Sequence, residues 1–549
     1  MRALILALRL LTVATLLTRA PAALAAPAAP AAPAAMLPPA DAIDALAERA
    51  RLLFDVPGLS LAIVQHGRLV FAKGYGQRDR ARSLPVDPRT VFGIGSISKS
   101  FTTAALALLV QEGKLGWDDP VVAHLPQFRL SDPVATRELT VRDLVTHRSG
   151  LGAGAGDLML FSRSRFTRAD AIRGARFLTL RTRPRSGFAY NNLMFVVAGR
   201  LVEAVSGESW ERFVQSRLID PLGMTDCHAD AAAFLAGAAS PGDVAIGYTE
   251  IGSALMPLPP DPLVAAAPAG GILCSAADLS RWAAMLLAGG TIDGVHVLDR
   301  AQRDALWSPQ TILPTAGTAA LSHQHFRDYA MGWFLEDFDG VARIWHSGSV
   351  AGMVGMVSLL PERDAGIVVL TNQENGNATN GLVAALSQAL IGPPGGNPVD
   401  WLAVYKARQD AAAARRDRLA ASLPGTPARP FLHPAPARLD AYVGRYRDCW
   451  RGLFRVVRRG DRLRLSVARA DDLAGTLQAL PHDLFVVHWD DRLFNDEDDA
   501  FLQFRRGANG RIAGASMRLL GSDMSFDVQD LDLRPAGTAR GHCHRGPAG

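Results

Sequence analysis

Strand-like runs stand on either side of a long helical stretch in this chain, and that arrangement narrows the possible folds more than any other feature. Leu59–Val64 and Leu69–Ala72 are short apolar runs joined at His66-Gly67 and read as a hairpin. Far downstream, Met353–Leu360 and Gly366–Leu370 read as two more strands parted by a turn at Pro361–Asp364, with a third beginning near Ala342. Residues from about 100 to 320 are richer in helical patterns. One antiparallel sheet built from both groups of strands, with the helical region inserted between them, buries these apolar runs together. Asp41–Phe54 reads as an amphipathic helix, and Leu382–Leu390 as a helix packing back on the sheet. The fold class is therefore α/β (α+β): an antiparallel sheet flanked by helices, with a mainly helical inserted region.

Chemistry enters at residues 93–103, G-I-G-S-I-S-K-S-F-T-T. From Lys99 to Glu112 there is no Gly or Pro, and Phe101, Ala104, Ala105, Leu108 and Leu109 recur at helical spacing. Ser96 and Lys99 thus lie three apart where a turn enters a helix, with Cβ atoms roughly 5–6 Å apart on one face. A serine is a poor nucleophile until a neighbouring base takes its proton, and Lys99 can be that base if its pKa is lowered. The unpaired amides of a first helical turn suit an oxyanion. Taken alone, S-x-x-K also describes a helix cap followed by a solvated lysine. Two further motifs follow in order. Phe188-Ala189-Tyr190-Asn191-Asn192 leads into a mostly apolar helix, Leu193–Val205, and Trp345-His346-Ser347-Gly348-Ser349 lies on the strand that begins near Ala342. Singly, these read as a half-buried loop tyrosine and a satisfied histidine at a strand end.

Together and in this order, Ser96/Lys99, Tyr190/Asn192 and His346/Gly348 resemble the S-x-x-K, Y-x-N and K-T-G or H-x-G elements of the serine β-lactamase and penicillin-binding-protein superfamily. The nearest branch is the class C β-lactamase-like group of esterases, D-aminopeptidases and D-alanyl-D-alanine carboxypeptidases. Leu144–Leu151, and Ala269-Gly270-Gly271-Ile272 leading to Asp278-Leu279, are similar to further segments of that family. The resemblance implies an active site between sheet and helices. In it Ser96 is the nucleophile and Lys99 and Tyr190 share its proton, a phenolate at Tyr190 drawing on Lys99 as a cationic neighbour. Either can be the formal base, because a coupled pair titrates as a unit. Asn192 hydrogen-bonds a substrate amide or the Lys99 amine, His346, Gly348 and Ser349 belong to the substrate side, and the backbone amides of Ser96 and Ser349 form the oxyanion hole. His346 stands where lactamases carry lysine. It is mostly neutral above about pH 6.5, which weakens recognition of anionic β-lactams and favours esters, amides or D-amino-acid peptides. Asn191, often serine in the family, carries no assigned role. The function expected is an exported serine hydrolase acting through an acyl-enzyme. A true β-lactamase, a D-alanyl-D-alanine carboxypeptidase or a non-catalytic β-lactam or peptidoglycan sensor are the alternatives. G-x-S-x-G is absent from the sequence, which argues against an α/β-hydrolase.

Residues 1–25 read as a signal peptide, with Arg2 before an apolar stretch and Ala23-Leu24-Ala25 as a cleavage site. Arg9 and Arg19 interrupt that stretch, so no stable membrane span is expected once it is removed, and the protein is expected to be periplasmic or secreted. The formal charge of +5 falls to +2 when Arg2, Arg9 and Arg19 leave with the leader, which supplies no electrostatic footprint for nucleic acid. Residues 26–40 form an Ala/Pro-rich spacer, 41–392 the hydrolase-like domain, and 393–435 a helix (Asp400–Leu423) with a Pro-rich linker. Residues 436–535 hold five short strand candidates, Phe454–Val457, Leu463–Val467, Leu484–Trp489, Phe501–Phe504 and Ile512–Leu519, before a tail at 536–549. These resemble the lipocalin-like β-barrel domain appended to many family members, with an accessory or packing role. The four cysteines, Cys227, Cys274, Cys449 and Cys543, show no C-x-x-C spacing, and their pairing stays open. His323-Gln324-His325 and His542-Cys543-His544 lack metal-site spacing, so neither metal nor cofactor is expected; the partner is a small-molecule or peptide substrate, and the oligomeric state is open.

Overall fold

The computed structural model describes residues 37–161, 163–237, 243–252, 254–392, 398–422, 436–493, 499–519, 527–538 and 543. The leader, most of the Ala/Pro-rich spacer, the Pro-rich linker before Pro436, His542 and His544 lie outside the described residues. The first helix, α1 (Ala40–Leu53), is followed by the hairpin β1 (Gly58–Gln65) and β2 (Arg68–Asp79) and a short edge strand β3 (Leu84–Pro85). The downstream strands are β4 (Thr311–Ile312), β5 (Arg327–Tyr329), β6 (Phe334–Phe338), β7 (Val341–Val350), β8 (Met353–Leu360) and β9 (Ala365–Thr371). All nine lie in one antiparallel sheet in the order β4-β5-β6-β7-β8-β9-β1-β2-β3. The seam between the two distant groups is β9 against β1, with Ile63 opposite Ile367 and Leu61 opposite Val369. β1, β8 and β9 are buried along their whole length, so helices must cover both faces.

One face carries α1 and the helix Gly376–Ile391, with Ile43, Ala47 and Ala50 of α1 packed in a cluster with Leu382, Val383 and Leu386. The opposite face carries α2 (Ser98–Gln111), α3 (Asn192–Ser206) and α4 (Ala276–Leu287), while α5 is Gly376–Ile391. α2 is buried on every side from Ser98 to Leu109, and its polar residues are tied internally. Ser100 Oγ donates to Ile97 O (2.8 Å), Thr102 Oγ1 to Pro268 O (2.7 Å), and Phe101 stacks on Trp282 at 4.1 Å. α5 begins at Gly376, earlier than the apolar run suggests. Its first turn, Gly-Asn-Ala-Thr-Asn-Gly, has poor helix propensity but is capped by Asn375, whose side chain accepts from Asn377 N.

After α6 (Trp401–Ser422) comes a second sheet of eight strands: β10 (Gly444–Asp448), β11 (Gly452–Arg459), β12 (Arg462–Val467), β13 (Ala470–Ala479), β14 (Leu484–Trp489), β15 (Ala500–Arg506), β16 (Ile512–Leu519) and β17 (Arg534–Pro535). The strands meander from β10 to β16, β17 pairs with β10, and Leu533 exchanges two backbone hydrogen bonds with Ala515 of β16. The sheet is therefore a nearly closed barrel. β13 escaped the sequence reading because Asp471, Asp472 and several small residues break its apolar alternation. Disulfides join Cys227 to Cys274 and Cys449 to Cys543. Among the described residues no helix is long and apolar enough to cross a membrane.

Candidate active site

Two glycines bring the first and third motifs into backbone contact. Gly95 takes φ +52° just before Ser96, in a single 3-10 turn (Gly95–Ile97) that runs straight into α2. A Cβ at Gly95 would fall 2.4 Å from Ser349 N, and one at Gly348 would fall 2.0 Å from Ile94 O and 2.6 Å from Ser96 N. Only glycine at both positions lets β7 press against residues 94–96. The backbone amides of Ser96 and Ser349 thereby meet at one junction.

Lys99, one helical turn beyond Ser96, is fully buried. Its Nζ lies 2.9 Å from Ser96 Oγ, 2.8 Å from Asn192 Oδ1 and 2.8 Å from Ala269 O. The backbone carbonyl of Ala269 only accepts. Asn192 turns its oxygen to Lys99 because its Nδ2 donates to the two carboxyl oxygens of Asp157, at 3.3 and 3.1 Å. Burial pulls Lys99 down to about 7 against the opposing pull of Asp157, and burial pushes Asp157 up to about 7. A neutral amine has two hydrogens and one lone pair. With the hydrogens given to Ala269 O and Asn192 Oδ1, the lone pair faces Ser96 Oγ.

Tyr190 lies with its ring 4.8 Å from Lys99 Nζ and its hydroxyl bonded to Ser96. Burial raises the phenol above its ordinary range, and Asp157 adds to the rise against the lowering effect of Ser96. Of the two bases left open by the sequence, burial favours a neutral Lys99 amine beside a neutral Tyr190 phenol over an ammonium–phenolate pair. Asn191, given no role beforehand, starts α3. Its side chain accepts from Met194 N at 3.1 Å and donates to Gly152 O and Ala155 O at 3.2 and 3.0 Å. Its own N–H donates to His147 Nδ1 at 3.1 Å, which assigns the imidazole hydrogen to Nε2. His147, at φ +53°, holds its ring 4.2 Å from that of Tyr190, tilted by 36°. Burial, with the ionisable groups of Lys99 and His346 nearby, holds it well below the usual histidine range.

His346 is 1% exposed. Its Nδ1–H donates to Ser347 O at 2.6 Å, so its Nε2 accepts from Tyr329 Oη at 3.1 Å. Burial, with Lys99 nearby, lowers it to about 3, against the raising effect of the Ser347 carbonyl. This imidazole is neutral and spends both nitrogens inside the protein. A cavity of about 450 Å³ is lined by Ser96, Tyr190, His346, Ser347, Gly348 and Ser349, and by Arg327, Phe334, Trp345 and Glu374. Arg327 is the only lysine or arginine in that lining among the described residues, its guanidinium 5.2 Å from the Phe334 ring and 5.5 Å from the Trp345 ring. Every residue singled out from the sequence (Ser96, Lys99, Tyr190, Asn192, His346, Gly348 and Ser349) lies at this site. His147 falls within the family-like segment Leu144–Leu151 without a role assigned to it, whereas Asp157, Tyr329 and Arg327 were missed, because single residues without a spaced partner carry no sequence signal. Among the described residues no cluster of His, Cys, Asp or Glu suits a metal ion. His323 and His325 bond instead to Asp339 and Asp337, at 2.8 and 2.7 Å.

A sheet assembled from both ends of a domain, a buried lysine one turn from a serine and a phenol from the helical region define the scaffold of β-lactamases and penicillin-binding proteins. The chain belongs to the Beta-lactamase family, whose model matches residues 46–389; a domain of unknown function (DUF3471) matches residues 429–535. It is 31% identical over 353 residues to the unguisins hydrolase ungD' of Aspergillus campestris, a match covering 61% of this chain and 62% of that relative. In structure it is similar to the octameric penicillin-binding protein homologue from Pyrococcus abyssi, with 24% identity, TM-score 0.58, and coverage of 90% of this chain and 99% of that one. It is also similar to a class C β-lactamase from Rhodobacter sphaeroides, with 23% identity, TM-score 0.51, and coverage of 64% and 98%.

Proposed function

We propose that the protein is an exported serine hydrolase that works through an acyl-enzyme on esters, amides or D-amino-acid peptides. The observation that carries this reading is the Lys99 amine, buried, depressed to about 7 and 2.9 Å from Ser96 Oγ. In acylation Ser96 Oγ bonds to the substrate carbonyl carbon as its proton passes to Lys99 Nζ. The carbonyl oxygen gains negative charge between the amides of Ser96 and Ser349. The bond to the leaving group then breaks, Tyr190 Oη supplies the proton that the departing oxygen or nitrogen needs, and Lys99 returns one to Tyr190. Water repeats the sequence on the ester of Ser96, releasing the acid. His346 supplies no cation for a β-lactam carboxylate, since it is neutral and turned inward. Among the described residues of the cavity lining, the one cation a substrate anion would meet is Arg327, which pairs with Glu336 at 3.6 Å. The leader and the two disulfides, which persist in oxidising compartments, support export.

A substrate panel run on protein recovered from the extracytoplasmic fraction tests the reading. Chromogenic esters, D-amino-acid amides, D-alanyl-D-alanine peptides and nitrocefin are compared at equal concentration. Turnover of esters or D-amino-acid amides is expected, with nitrocefin at least about tenfold slower in kcat/KM. Nitrocefin as the best substrate would make the protein a β-lactamase. A stoichiometric burst without steady turnover would make it a sensor.

A further inference from the structure

The C-terminal barrel reaches the machinery behind Ser96 through one carboxyl group. Asp527 opens a 3-10 turn (Asp527–Asp530) and is completely buried. Its Oδ2 accepts from Gly156 N and its Oδ1 from Leu158 N at 3.1 Å. Those are the amides on either side of Asp157, in a turn where Gly156 takes φ +96° and a Cβ would collide with Leu193 at 2.8 Å. Asp157 holds the Asn192 amide, Asn192 accepts from Lys99, and Lys99 meets Ser96. An unbroken series of hydrogen bonds and one covalent turn thus runs from the barrel to the serine.

We infer that Asp527 is a positioning residue: by clamping residues 156–158 it fixes Asp157, and through Asn192 it aims the Lys99 amine at Ser96. The inference rests on the reading of Ser96 and Lys99 as the reacting pair. Burying a carboxyl group is costly and is tolerated only where its oxygens are satisfied; here two backbone amides of another domain satisfy them. Burial, with Asp157 nearby, pushes Asp527 well above the usual carboxyl range. Arg451, also buried and from the barrel, faces Asp527, Asp472 and Asp448 as the neighbouring cation. The barrel is held in register beside the turn. Arg469 pairs with Asp170 at 2.5 Å, Arg165 N donates to Arg469 O at 2.9 Å, and Arg181 bonds to Asp530. Among the barrel's described residues no cluster of His, Cys, Asp or Glu suits a metal ion, yet the barrel contributes the group that holds the far end of this series.

The test uses the full chain with Asp527→Asn, Asp527→Ala and Asp157→Asn. The first of these keeps the shape and one acceptor but turns an NH₂ toward the second amide. Hydrogen exchange is followed in peptides covering residues 156–158, kcat and KM on an ester, and the rate at which a fluorophosphonate labels Ser96. Both Asp527 variants are expected to exchange faster there, and to lose about tenfold or more in kcat and labelling rate with KM within about twofold. Asp157→Asn is expected to reproduce the kinetic loss. Faster exchange with wild-type kcat and labelling would reduce Asp527 to a structural contact. Unchanged exchange would remove the clamp, and a wild-type rate in Asp157→Asn would break the relay. Failure of the wild type itself to be labelled at Ser96 would overturn the proposed function, and the exchange measurement would still decide the clamp.

Discussion

Lys99→Met is expected to lower kcat on a chromogenic ester by about 10³–10⁴-fold, the upper part of the range for a positioned general base. Methionine fills the volume of the buried lysine without its amine. Two acceptors, Asn192 Oδ1 and Ala269 O, then lose a donor, at about 1–3 kcal/mol each, partly offset because an amine is no longer buried. A folded but inactive protein is the expected result, checked by thermal melting beside the kinetics. The same assignment sets the pH dependence. The amine acts only when neutral, and burial lowers Lys99 to about 7, so kcat/KM should climb with pH and level off above about 7. An unperturbed lysine would place that limb near 10.4. Removing Asp157's charge removes a force that raises Lys99, so the limb in Asp157→Asn should move to lower pH. Persistence of the limb in Lys99→Met would assign it to another group.

Gly348→Ala should cost about 10²–10³-fold in kcat, comparable to the loss of one oxyanion donor. The added Cβ would meet Ile94 O at 2.0 Å and Ser96 N at 2.6 Å, backbone atoms that no rotamer change can clear. β7 would have to separate from residues 94–96, carrying Ser349 N away from the point where charge develops. Gly187→Ala is the control, because a Cβ there meets nothing within 4 Å and the residue precedes the same site loop that holds Tyr190. It should keep wild-type activity. Equal loss in both variants would refute the oxyanion placement.

The parts of the fold legible in the sequence are those whose apolar pattern is long. The hairpin β1–β2, strands β7 to β9 and helices α1 to α3 all carry it. The edge strands β3, β4 and β5 are two or three residues long and leave no alternation to read. The site was legible as three motifs because spacing ties Ser96 to Lys99 and Tyr190 to Asn192. The protonation states were not, since burial rather than residue type decides them. The same lysine in water would be a permanent cation, and the same histidine would titrate near neutrality. Nor could the sequence reveal Asp527, whose meaning comes from two amides some 370 positions earlier in the chain.

The central claim, that Ser96 takes the acyl group, is tested most directly by quenching the enzyme during turnover of a slow ester and mapping the adduct by mass spectrometry. One acyl group on the peptide containing Ser96 is predicted, absent from Ser96→Ala together with all turnover. An adduct on another residue, or full activity in Ser96→Ala, would contradict it.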